Sequence, residues 1–160
     1  MTGVLPAELG EHAFLRGLPA EYIARLAQVA AAVSVPAGHR FFEEGGRAVQ
    51  IWLIRTGRVA LDLHVRGREP LIVETVGGGQ VVGLSWVCPP YEWQYGAQAL
   101  APTTAITLDT TAVLSYCDQD PVLGYQLIRR LMTVAADRLH ASRIRLLDLY
   151  AAPSQQAGAT

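Results

Sequence analysis

Ile51-Trp52-Leu53-Ile54-Arg55-Thr56-Gly57-Arg58-Val59-Ala60-Leu61-Asp62-Leu63-His64-Val65 is the stretch from which the fold is read. It opens on an apolar, β-branched run, and Thr56-Gly57 marks a turn. After the turn, residues 59, 61, 63 and 65 share one apolar face while Asp62 and His64 face the other way. A period of two is the signature of a strand. Leu71-Ile72-Val73 follows Arg66-Gly67-Arg68, which reads as a hairpin. Further turn signals recur at Pro36-Ala37-Gly38, Glu44-Gly45-Gly46, Gly77-Gly78-Gly79 and Cys88-Pro89-Pro90. A strand zone over about residues 34–116, with turns at short intervals, predicts a sandwich or barrel.

Helical patterns flank this zone. Before it, residues 10–33 read as helix, with Pro19 near a first turn and Ile23, Leu26, Ala27, Ala30 and Ala31 at helical spacing. After it, residues 121–150 read as one long helix, with Pro121 at its start and Asp118 or Asp120 as N-cap. Thirty helical residues span about 45 Å, more than a small barrel needs for its own cover. Ile128, Met132, Ala135 and Leu139 form one apolar stripe; Leu127, Leu131, Val134 and Ala141 form a second. An arc that wide is buried on more than one side. A homodimer seam through Leu127, Leu131, Val134, Arg138 and Ala141 is therefore expected. The small, polar end, residues 151–160, reads as a flexible tail.

Composition narrows the function classes. The chain has 160 residues, 51% hydrophobic and 17% charged, which suits one folded domain. A formal net charge of −1 argues against broad electrostatic attraction to nucleic acid or anionic membrane. Two cysteines, Cys88 and Cys117, are too few for a four-cysteine zinc site or an iron–sulfur cluster. His12, His39, His64 and His140 make no metal-ligand spacing, and no nucleophile motif or phosphate loop is present. No catalytic and no metal residue is assigned. No basic n-region precedes an apolar stretch, and no run of about 18 apolar residues could span a bilayer. A soluble, cytoplasmic, non-enzymatic protein is the expectation.

The order of parts and several motifs together resemble the cyclic-nucleotide-binding domain of the catabolite-activator (CRP/FNR) superfamily. The residues are Phe14-Leu15-Arg16-Gly17-Leu18-Pro19, Val35-Pro36-Ala37-Gly38, Phe41-Phe42-Glu43-Glu44-Gly45, Ile51 to Val59, Gly83, and Asp120-Pro121-Val122-Leu123-Gly124-Tyr125. The resemblance implies an α+β fold over residues 10–150. It is a double-stranded β-helix (cupin-like) barrel with short N-terminal helices and a long C-terminal dimerisation helix. DNA-binding members carry a helix-turn-helix domain after that helix. Here the sequence stops at Thr160, so no DNA partner is expected.

The ligand cassette departs from the family pattern. Cyclic-nucleotide binders of this family open it with Gly-Glu and follow with Arg-Ser/Thr-Ala, the Glu accepting from the ribose and the Arg pairing with the phosphate. Here Gly83 is followed by Leu84, and Trp93, Gln94 and Tyr95 align with Arg, Ser/Thr and Ala. Without a charged fork for the phosphate, cAMP or cGMP binding is not expected. The candidate ligand-binding residues are Gly83, Leu84, Ser85, Trp86, Trp93, Gln94, Tyr95 and Gly96. Aromatic residues beside Pro89-Pro90 suit three uses: filling the vacated pocket, stacking an altered ligand, or anchoring a protein partner through Tyr91 and Trp93. Cys88 stands beside the cassette.

The resemblance implies a regulatory or accessory binding module. Family relatives without a DNA-binding domain serve as accessory subunits of multisubunit oxidoreductases, such as NAD-reducing nickel–iron hydrogenases. No cofactor is assigned outright; NAD(P)H or another nucleotide is the candidate ligand. One alternative is a cAMP/cGMP sensor with an atypical cassette, its phosphate held by Arg47 or Arg138. Another is a structural recruitment protein with a filled pocket.

Overall fold

The computed structural model describes residues 2–151. In chain order its elements are β1 (Thr2–Gly3), α1 (Pro6–Gly10), α2 (Ala20–Ala27), β2 (Ala30–Val35), β3 (Arg40–Phe42), β4 (Gln50–Thr56), β5 (Arg58–Leu63), β6 (Leu71–Gly77), β7 (Val81–Val82), a 3-10 turn (Ser85–Val87), β8 (Gly96–Ala99), β9 (Thr103–Asp109), α3 (Thr110–Gln119) and α4 (Pro121–Ala151). The strands form two antiparallel sheets, one in the order β1-β2-β9-β4-β7 and the other β3-β8-β5-β6. This is the α+β, jelly-roll type of double-stranded β-helix that the resemblance implies, and it is a form of the sandwich or barrel that the strand pattern predicts.

The opening run explains how the two sheets meet. All of Ile51-Trp52-Leu53-Ile54 is buried, so β4 is covered on both faces. Trp52 packs with Phe41, Phe42 and Trp93 between the sheets. Ile51, one residue earlier, points to the opposite face, where Leu15, Leu26, Val113, Leu127 and Leu131 gather. The Thr56-Gly57 turn then carries the chain from β4 in one sheet to β5 in the other. The hairpin expected around Gly67 joins β5 to β6. Asp62 of β5 does not face solvent. It is 5% exposed and accepts two bonds from the Arg40 guanidinium, at 2.5 and 3.1 Å.

Three boundaries differ from the sequence expectation. The helix expected over residues 10–33 is confined to α2, which ends at Ala27, and Ala30 and Ala31 begin β2, where register with Leu108 and Thr107 of β9 outweighs alanine's helical preference. The strand zone stops at Asp109, not near 116. The Asp109 side chain accepts from the Ala112 N–H at 3.0 Å and caps α3. The fold also reaches N-terminally of residue 10, because Val4 and Leu9 join the core and β1 pairs with β2. Asp120 caps α4 as expected, accepting from Val122 and Leu123 at 3.1 and 3.3 Å. Of the tail expected at 151–160, Ala151 closes α4 and the rest lies outside the described residues.

The assignment of α4's two stripes is corrected. Leu127 and Leu131, expected in a dimer seam, are 4% and 5% exposed and pack on the core of their own chain. Val134 is half-buried against the same core, and Arg138 is bound to β6 and β7; only Ala141 is exposed. The stripe left in solvent is the other one, with Tyr125, Ile128, Met132 and Leu139 all more than 40% exposed.

His12 fastens the N-terminal segment to β4. Its Nε2 donates to the Ile54 carbonyl at 2.9 Å and its Nδ1 accepts from the Phe14 N–H at 3.2 Å. Both nitrogens are used by the neutral ring, and burial pushes its pKa down from the ordinary value, with Arg55 and Arg16 adding to the depression. The Ile54 bond opposes this. Unfolded His protonates near pH 6.5 while the folded ring resists, so the unfolded state binds more protons in that window. Stability present above about pH 6.5 is therefore expected to fall as pH drops through the folded pKa. Urea midpoints measured across this range should fall for the wild type and fall less for His12→Ala.

Candidate functional site

A cleft of about 390 Å³ opens between the four-stranded sheet, the segment after β7, and α4. Leu61 of β5, Val73 and Glu74 of β6, and Phe42 of β3 line it from the sheet. Gly83, Leu84 and Ser85 contribute one rim, and Trp93, Gln94 and Tyr95 another. Ala135, Arg138, Leu139 and Ser142 reach in from α4, four positions that a helix presents on one side.

Trp93 shapes the interior. It is 5% exposed, and its ring stacks on Phe42 with centroids 3.9 Å apart and planes 16° from parallel. Its backbone is pinned to the Glu44–Gly46 turn: the Trp93 N–H donates to Gly46 and its carbonyl accepts from Gly45, both at 2.8 Å. Gly83 makes room for the ring. A Cβ there would lie 3.0 Å from two indole carbons and 3.1 Å from the Gln50 carbonyl. The bare Cα of Gly83 thus serves the packing of the Trp93 indole.

The cleft holds two charges of opposite sign. Arg138 Nε lies 3.6 Å from Glu74 Oε2, and the same guanidinium donates to the Val81 carbonyl. Burial lowers the Arg138 pKa, and Glu74 and Tyr95 oppose that shift. One side chain of α4 thereby touches β6 of one sheet and β7 of the other. Arg47 lies elsewhere. Its backbone pairs with that of Glu92 in an isolated antiparallel bridge, and it lines a separate depression with Tyr91, Thr111, Ser115 and Asp118.

Six of the eight ligand-binding candidates meet in the cleft: Gly83, Leu84, Ser85, Trp93, Gln94 and Tyr95. Trp86 and Gly96 do not. Trp86 is buried among Leu15, Ile51, Leu108 and Val113, on the helix side of the sheet. Gly96 backs the Arg40–Asp62 pair, where a Cβ would sit 2.5 Å from Asp62 Oδ1. The partner-anchor pair separates too. Tyr91 is 44% exposed, whereas Trp93 faces inward and presents nothing to a partner. Cys88 is exposed. Among the described residues no three or more His, Cys, Asp or Glu side chains cluster as metal ligands, and no helix is long and apolar enough to cross a membrane. Sequence reasoning missed Phe42, Leu61, Val73, Glu74, Ala135, Leu139 and Ser142 as lining residues. Only the 135/139 stripe left a trace in the pattern.

Comparison with known proteins gives consistent results. The family model described as the cyclic nucleotide-binding domain matches residues 32–120. A CRP-like cAMP-activated global transcriptional regulator of Mycobacterium tuberculosis is 27% identical over 142 residues, covering 88% of this chain and 61% of the relative. The chain thus spans about three-fifths of the length of the curated relatives it matches. Among solved structures, a cyclic nucleotide-binding domain from Methylobacillus flagellatus superposes with a TM-score of 0.77 at 21% identity, covering 94% of this chain and 86% of that one. The Thermus thermophilus catabolite activator protein gives 0.66 at 20% identity, covering 86% and 63%.

Proposed function

The chain belongs to the cyclic nucleotide-binding domain family, and from that premise we propose that it is a non-enzymatic regulatory binding module. Its cleft takes a ligand other than cAMP and reports occupancy through α4. One observation carries this reading: the Trp93 indole is buried and stacked on Phe42 in the cleft, at a position that the resemblance aligns with the family's phosphate-pairing arginine. The resemblance likewise aligns Leu84 with the carboxylate that would accept from a ribose. A phosphate in this cleft would meet one guanidinium, already engaged by Val81 and Glu74. Desolvating an anion without a free counter-charge costs several kcal/mol.

The same argument weighs against a sensor that relies on Arg138, and Arg47 lies outside the cleft. NAD(P)H would bring two phosphates to the same engaged cation, so an oxidoreductase-accessory role finds more support in the resemblance than in the cleft. We extend the proposal to a cytoplasmic homodimer, now through Tyr125, Ile128, Met132, Ala135 and Leu139. Their spacing of three and four is that of a coiled-coil seam. Ala135 and Leu139 belong to both seam and cleft, which gives a ligand its route to the dimer.

Thermal shifts with cAMP, cGMP, AMP, NAD(H) and NADP(H) test the reading. A bound ligand at about 100 times its Kd adds about 2.7 kcal/mol, a shift of several degrees for a chain this size. The expected result is no shift with cAMP or cGMP. A shift with either overturns the proposal.

A further inference from the structure

The cleft combines a balanced charge with an apolar, aromatic wall. Its two charged side chains, Glu74 and Arg138, face each other at 3.6 Å, so each offsets the charge that the other presents to a guest. Phe42, Leu61, Val73, Leu84, Trp93, Ala135 and Leu139 supply the rest of the interior. The hydrogen-bonding groups, from Ser85, Gln94, Tyr95 and Ser142, are few and uncharged. After Trp93 has filled its share, about 390 Å³ still stands open, within the range of small-molecule sites. Such a space rewards a guest that brings apolar area and a ring to lay against aromatic side chains. It penalises one that brings a charge.

We infer that the occupant of this cleft is an uncharged, ring-bearing, largely apolar small molecule carrying one or two hydrogen-bonding groups. The inference rests on the reading of the cleft as a ligand site and names the ligand's class. Glu74 and Arg138 stay paired beneath such a guest, and α4 closes over it through Ala135 and Leu139.

The full chain is titrated with N-phenylnaphthylamine, an uncharged probe that brightens in apolar surroundings. Saturable binding of one probe per chain is expected, with loss of tryptophan emission by energy transfer. Ala135→Phe, at an exposed α4 position that lines the cleft, should weaken binding at least about tenfold. Leu84→Glu, which puts an unpaired carboxylate in the wall, should do the same, with circular dichroism reporting that each variant is folded. Leu147→Ala, at an exposed apolar residue of α4 that does not line the cleft, should leave binding unchanged. Saturating cAMP or NADH should not displace the probe.

Several results would overturn the inference. They are no saturable binding, binding that survives both cleft variants, and binding that is lost with Leu147→Ala. If the probe fails while AMP or a dinucleotide binds, the ligand class is wrong and the cleft remains a ligand site. If cAMP displaces the probe, both the class and the wider reading fail.

Discussion

Trp93→Ala is expected to lower stability by about 3–5 kcal/mol, the usual cost of emptying a buried aromatic position. Some of that comes from the lost stack on Phe42, since aromatic pairs add about 0.5–1.5 kcal/mol beyond area burial. The expected fall in Tm is about 10 °C for a chain of this size. Because the ring adjoins an open cleft, water can enter the space it leaves, which pulls the cost toward the lower end of the range. Trp93→Phe keeps a ring over Phe42 and should cost about 1–2 kcal/mol. Urea unfolding of the two variants beside the wild type measures both. If alanine costs no more than phenylalanine, the indole is not packed against Phe42 and Gly83, and the account of the cleft falls with it.

Gly57→Ala is the second large effect, expected to exceed about 4 kcal/mol and to leave little folded protein. Gly57 adopts φ +99, and a Cβ would lie 2.4 Å from Thr103 Oγ1, 2.6 Å from the Pro102 carbonyl and 2.7 Å from Thr103 Cα. Two of those atoms are backbone. The third belongs to a hydroxyl that donates to the Ala101 carbonyl at 2.8 Å, in a residue 1% exposed. None can step aside cheaply, and this turn links the two sheets. Gly67 supplies the comparison. Its φ is +74, with nothing within 4 Å of a built Cβ, so alanine there meets only left-handed strain, about 1–2 kcal/mol. Yields and unfolding midpoints of the two variants should differ sharply; similar values would mean the contact with residues 102–103 is looser than described.

The elements legible in the sequence were those with local causes. The run from Ile51, the turn at Thr56-Gly57, the hairpin around Gly67 and the Asp120-Pro121 start of α4 are each specified within a few residues. Elements decided at long range were not. Ala30 and Ala31 continue a helical pattern, and only pairing with Thr107 and Leu108 makes them a strand. The two stripes of α4 are nearly equal in composition. Which one turns inward depends on Phe14, Leu15 and Leu26, and nothing in the helix itself states that. The cleft shows the same division. Residues 83–85 and 93–95 are close in sequence and could be named together, whereas Phe42, Glu74 and Leu139 reach the cleft from three distant segments with no shared spacing.

The two-residue strand β1 has a consequence for handling the protein. Thr2 and Gly3 lie against Ala32 and Ala31, along the outer side of β2. The sequence of β2, AAAVSV, has no charge and no proline. Left uncovered, it would offer a bare edge to which a strand of another molecule can add. β1 thus covers the Ala31–Ala32 part of that edge, and Gly3→Pro, which frees it, is expected to raise light scattering from concentrated solutions.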